Sequence, residues 1–79
     1  MKKLVNRVSE NRSYYDDFFR IVMANALGNE ISIYPNIKKT VVYDSNNVKG
    51  EHMFESSYDE VAFFRGMGYR VAKMSKGQE

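Results

Sequence analysis

His52 is the only histidine in the chain. A lone imidazole works as a general base only where a carboxylate orients it and a substrate group lies within reach. Glu51 and Glu55 are its nearest acids, and one His with two Glu is a conceivable metal set. None of the familiar metal-ligand spacings is present, however, and the expected place of His52 is a solvent-exposed loop. Two acid pairs, Asp16-Asp17 and Asp59-Glu60, have the composition of an acid–base dyad. Both fall where helices are expected to begin, and there the helix dipole already accounts for them. No serine has a G-x-S-x-G setting, and a single histidine could serve only one of them. Gly66-Met67-Gly68 matches no phosphate-loop pattern and follows a helical stretch instead of opening one. With no cysteine in the chain, thiolate nucleophiles, iron–sulfur clusters, Cys-based zinc sites and disulfides are excluded. The expectation is a protein with no enzymatic activity, no metal and no cofactor.

What remains is binding chemistry. Five Phe and six Tyr are a large aromatic load for so short a chain. Tyr14-Tyr15, Phe18-Phe19 and Phe63-Phe64 are adjacent pairs, and neighbours on a helix point about 100° apart. One of Phe63 and Phe64, and one of Tyr14 and Tyr15, is therefore expected to be partly exposed. Tyr14, Phe63, Phe64 and Met67 form the predicted protein-docking set. Cations cluster at Lys2, Lys3, Arg7 and Arg12, at Lys38-Lys39, and at Arg65, Arg70, Lys73 and Lys76. If Tyr34, Tyr43 and Tyr69 shared an open sheet face with Arg70 and Lys73, that face could stack bases and hold phosphates. The aromatic signature of RNA-recognition sheets is missing, because the corresponding strand reads Lys38-Lys39-Thr40-Val41-Val42-Tyr43. Asp44, Glu30 and Glu51 also dilute the field.

These side chains need elements to position them. Tyr15, Phe18, Phe19, Val22 and Ala26 recur at helical spacing, which predicts a helix from about Tyr14 to Leu27, capped by Ser13 and ended by Gly28. Within it Asp16 and Arg20 stand at i,i+4. Ser57-Tyr58-Asp59-Glu60 has the form of a capping box. It predicts a second helix with Val61, Phe64 and Met67 on its apolar face, ending at Gly66 or Gly68. Ile31–Tyr34 and Thr40–Tyr43 read as strands joined by a turn at Pro35-Asn36, and Tyr69–Met74 reads as another. Ser45–Glu51 is polar enough to be a surface loop. Residues 2–8 fit a strand or a helix, and residues 75–79 are expected to fray.

The chain has 79 residues and a formal charge of +2, which bounds it to one domain, residues 1–79, and excludes both an acidic DNA mimic and a strongly basic tail. No apolar run nears the roughly 18 residues of a membrane span. Met1-Lys2-Lys3 is not followed by the apolar stretch of a secretory signal. With cysteine absent, the expected compartment is the cytoplasm. The fold class expected is α+β, a small two-layer sandwich with an antiparallel sheet and two helices packed on one face. Its order is β-α-β-β-α-β (ferredoxin-like) or α-α-β-β-α-β, depending on residues 2–8. In composition the chain resembles small proteins encoded by AT-rich bacteria and their phages, a likeness that transfers no residue roles. The functional expectation is a small binding module acting on a protein partner as regulator or inhibitor, with nucleic-acid binding as the alternative. Self-association into a homodimer is left open.

Overall fold

Arg20-Ile21-Val22-Met23-Ala24 alternates, with Ile21 and Met23 fully buried and their neighbours half-exposed. That is the period of a strand, not a helix. The computed structural model describes residues 13–76, and in it this segment is strand β1 (Arg20–Ala24). The helix expected over Tyr14–Leu27 is absent. Among the described residues, helical Ser13 and Tyr14 lead into a short 3-10 turn, Tyr15–Asp17, before the strand. The helical stripe was an accident of spacing. β1 pairs antiparallel with a strand on each side, and this two-sided burial outweighs local helical preference. Asp16 pairs with Lys38, at 3.8 Å, rather than with Arg20. Gly28 does take a left-handed φ of +88°, but it closes a hairpin. There Asn25 Oδ1 accepts from the Leu27 and Asn29 amides, each at 3.0 Å.

The hairpin leads into β2 (Glu30–Tyr34) and, after the Pro35-Asn36 turn, β3 (Lys39–Asp44). The expected polar loop is instead strand β4 (Asn47–Met53). Ser45 and Asn46 have φ of +54° and +72°, as a two-residue type I′ hairpin turn requires. Helix α1 (Ser57–Gly66) follows, then β5 (Arg70–Ser75). Ser75 pairs with Arg20, so the strand runs into the expected tail. The sheet order is β4-β3-β2-β1-β5, antiparallel throughout. This corrects the two-helix sandwich: the described residues form one five-stranded sheet with one α-helix on it. Residues 2–8, with their strand-or-helix question, and the end of the tail lie outside the described residues.

Helix α1 lays Val61 and Phe64 on Ile21, Met23, Ile31 and Ile33, with Phe18 and Tyr69 completing the core. Burying each such aliphatic side chain stabilises by roughly 1.5–3 kcal/mol. The helix N-cap is Ser56, whose side chain accepts from the Asp59 amide at 3.2 Å. The capping serine is therefore one residue earlier than the S-x-x-E pattern implied. That shift frees Glu60 from capping and leaves Ser57 Oγ buried with no partner among the described residues.

Candidate functional site

Helix α1 covers one face of the sheet, and no described helix covers the other. Cross-strand partners point to the same side, so the register assigns the uncovered face residue by residue. One row runs Arg70, Ala24, Glu30, Tyr43, Val48; the next runs Lys73, Val22, Ser32, Val41, Glu51. At the end nearest the Pro35 turn, Tyr34 pairs with Lys39 and Lys39 with Met53.

Arg20 organises that end. Its Nε and Nη2 donate to Ser32 Oγ at 3.1 and 3.0 Å, and its guanidinium lies 5.9 Å from the Tyr34 ring centroid. Ser32 is thereby buried on a face that otherwise meets solvent. Phe19, whose amide donates to Ser75 O, sets its ring edge-on to Tyr34 at 6.1 Å. These rings, with Asn36, Ile37, Lys39 and Val41, line a cleft of about 270 Å³. Phe19 is 48% exposed, Ile37 56% and neighbouring Met53 66%. Four chain segments thus converge to present apolar surface to water, with Lys39 in the wall and Arg20 beside it. Lys39 also pairs with Glu51 at 2.9 Å.

The predicted docking set is not brought together. Phe64 is a core residue, while Phe63, Met67 and Tyr14 are exposed, which matches the expectation that one member of each aromatic pair reaches water. Tyr14 lines a cavity with Tyr15, Tyr58 and Arg65. Met67 lies seven residues, two helical turns, beyond Glu60, which faces the sheet toward β3 and β4, so helical spacing puts it on that flank of α1, whereas Tyr58 and Arg65 beside Tyr14 mark the other. Of the predicted sheet-face set, Tyr34, Tyr43, Arg70 and Lys73 do share the uncovered face. Tyr69 does not. It lies under the helix, edge-on to Phe64 at 5.3 Å, because it precedes β5 and its amide is tied to Phe64 O. Phe19 and Ile37 stand in neither predicted set: the sequence puts Phe19 in the helical stripe and leaves Ile37 to the turn after Pro35 or to the strand that follows.

His52 sits on β4, not in a loop, and its partner is neither Glu51 nor Glu55. Its Nε2 lies 2.6 Å from Glu60 Oε2, and Thr40 Oγ1 donates to that same oxygen at 2.6 Å. The imidazole stacks over Phe64 at an interplanar angle of 12°. Glu60 and Thr40 are buried, whereas the His52 side chain is 46% exposed. A nucleophilic triad needs the hydroxyl on the histidine. Here it is on the carboxyl group, and Thr40 is fully buried. The arrangement ties helix to sheet. Among the described residues no cluster of three or more His, Cys, Asp or Glu has metal-binding geometry, and no helix is long and apolar enough to cross a membrane. Comparison with protein-family models, with curated proteins and with solved structures finds no match to this chain.

Proposed function

We propose that this protein is a non-enzymatic binding module that docks on a protein partner, as a regulator or inhibitor, through the uncovered face of its sheet. The carrying observation is the cleft formed by Phe19, Tyr34, Ile37, Lys39 and Val41. Apolar surface converging from separate segments is costly to leave in water, and it suits a partner's buried anchor. The occupant is a Leu, Phe or Met side chain flanked by acidic residues. Arg20 stands beside the cleft, Lys39 in the wall can exchange its Glu51 pair for a partner's carboxylate, and no described acid lines the cleft. Arg20 is held by Ser32 and Tyr34, so little of its freedom is lost on binding. The same reading puts the protein in the cytosol, supported by the lack of cysteine.

The test is selection of random displayed peptides on the folded protein, with Ile37→Asp as the control. Ile37 is exposed, so the variant keeps its fold, to be checked by circular dichroism. Enrichment of acid-flanked Leu, Phe or Met, with affinity lowered at least about tenfold by Ile37→Asp, is expected. No enrichment, or enrichment indifferent to the substitution, overturns the reading.

A second reading, nucleic-acid binding, is favoured by one placement: Tyr34, Tyr43, Arg70 and Lys73 share the uncovered face. It separates from the first by charge reversal at Arg70 and Lys73, which abolishes binding to an oligonucleotide and leaves peptide affinity at the Ile37 cleft unchanged.

A further inference from the structure

Where α1 ends, the chain reverses in a tightly bonded turn. The Met67 and Tyr69 amides donate to Phe64 O, and the Gly68 amide donates to Arg65 O. Gly68 has φ of +99°, a conformation that side chains with a Cβ rarely adopt. The turn carries the chain from the last helical residues to the start of β5, so Arg65 and Arg70 come to line one cleft of about 480 Å³ with Gly68, Tyr69 and Val71. Tyr69, part of that lining, is packed edge-on to Phe64.

These two cations differ from several others in the domain. Arg20 donates to Ser32, Lys38 pairs with Asp16, Lys39 pairs with Glu51, and Lys76 lies over the Phe18 ring. Arg65 and Arg70 are exposed and have no carboxyl partner among the described residues, and no acid lines their cleft. The helix C-terminus carries partial negative charge, and the turn amides satisfy the Phe64 and Arg65 carbonyls there. No atom stands within 4 Å of a Cβ built on Gly66 or Gly68, so a ligand can approach the main chain there.

We propose that the Arg65–Arg70 cleft is a phosphate-binding site. Guanidinium groups offer paired N–H donors matched to the oxygens of a phosphate, and here one comes from α1 and the other from the start of the edge strand β5, both lining the one cleft. The volume lies in the range of small-molecule sites, so the group fits whether it belongs to a free phosphate compound or to a nucleic-acid backbone. The site does not depend on the Ile37 cleft, and its failure leaves the docking reading intact.

The experiment is an amide and arginine side-chain NMR titration of the full chain with pyrophosphate at constant ionic strength, with chloride as control. Saturable shifts at Gly68, Arg70 and the Arg65 side chain are expected. They should vanish in Arg65→Gln/Arg70→Gln and persist in Lys73→Gln. Both arginines are exposed, so the double variant keeps the rest of the spectrum in place. A parallel titration with a short single-stranded oligonucleotide assigns the source. Binding at least about tenfold tighter than pyrophosphate, and lost in the double variant, points to a nucleic-acid backbone; tighter pyrophosphate binding points to a free phosphate compound. Shifts that do not saturate, that spread evenly over Lys49 and Lys73, or that survive in the double variant overturn the site.

Discussion

On the covered face of the sheet Thr40 donates its hydroxyl hydrogen to Glu60, whereas on the uncovered face Ser32 accepts from Arg20. Both hydroxyls are buried, but they are buried by different means. Thr40 lies under α1, and its partner descends from the helix and is itself buried. Ser32 has no described helix above it. A guanidinium on the neighbouring strand covers it, and water remains on the other side of that guanidinium. The first arrangement ties two layers together. The second holds Arg20 and Tyr34 in position to shape an apolar cleft that nothing described fills. The difference shows where the domain places stability and where it leaves surface for binding.

The sharpest way to break that comparison is to remove apolar volume from each face. Ile33→Ala, beneath the helix, is expected to cost about 2–5 kcal/mol in urea unfolding, because it leaves a cavity in a packed core. Val41→Ala, half-buried on the uncovered face, is expected to cost less than about 1 kcal/mol. Equal costs would mean that the second face is also covered in solution. A midpoint that rises with protein concentration would then identify self-association as the cover.

The next effect comes from the tie itself. Glu60→Ala leaves the Thr40 hydroxyl buried without an acceptor, which costs about 1–3 kcal/mol. His52→Ala costs less, because its side chain is 46% exposed and water can replace its contact. A double-mutant cycle between Glu60 and His52 isolates their coupling. If His52→Ala proved as damaging as Glu60→Ala, the imidazole's stacking on Phe64 rather than its bond to Glu60 would be holding the layers.

Legibility in the sequence followed the same division. β2 was readable from its alternation, β3 and β5 from their β-branched and aromatic composition, and α1 from its capping signal and helical apolar spacing. β1 was not, since Tyr15 to Ala26 satisfies a helical stripe equally well. Only pairing with both β2 and β5, which lie far apart in sequence, selects the strand. β4 was hidden for the opposite reason. At the sheet edge it buries little, so Asn47–Met53 carries almost no apolar alternation, and Ser45-Asn46 was the sole signal of its hairpin. Tyr34, Tyr43, Arg70 and Lys73 reached their shared face through simple alternation. Ile37 reached its cleft in the turn after Pro35, and Arg70 came beside helical Arg65 through the turn at Gly68, which period counting does not register.

The smallest expected effect has the opposite sign. Ser57 reads as a helix cap, yet Ser56 does the capping, and Ser57 Oγ is buried without a partner among the described residues. A hydroxyl removed from water with no compensating bond destabilises the state that buries it. Ser57→Ala keeps the backbone and improves helix propensity. It is therefore expected to leave stability unchanged or raise it by up to about 1 kcal/mol, read from the same urea transition. Ser56→Ala, one position earlier, is expected to lower stability by about 0.5–2 kcal/mol. If the two substitutions exchanged signs, the helix would begin at Ser57 after all. Glu60 would then be drawn back toward its capping role and away from Thr40, and the tie between helix and sheet would loosen with it.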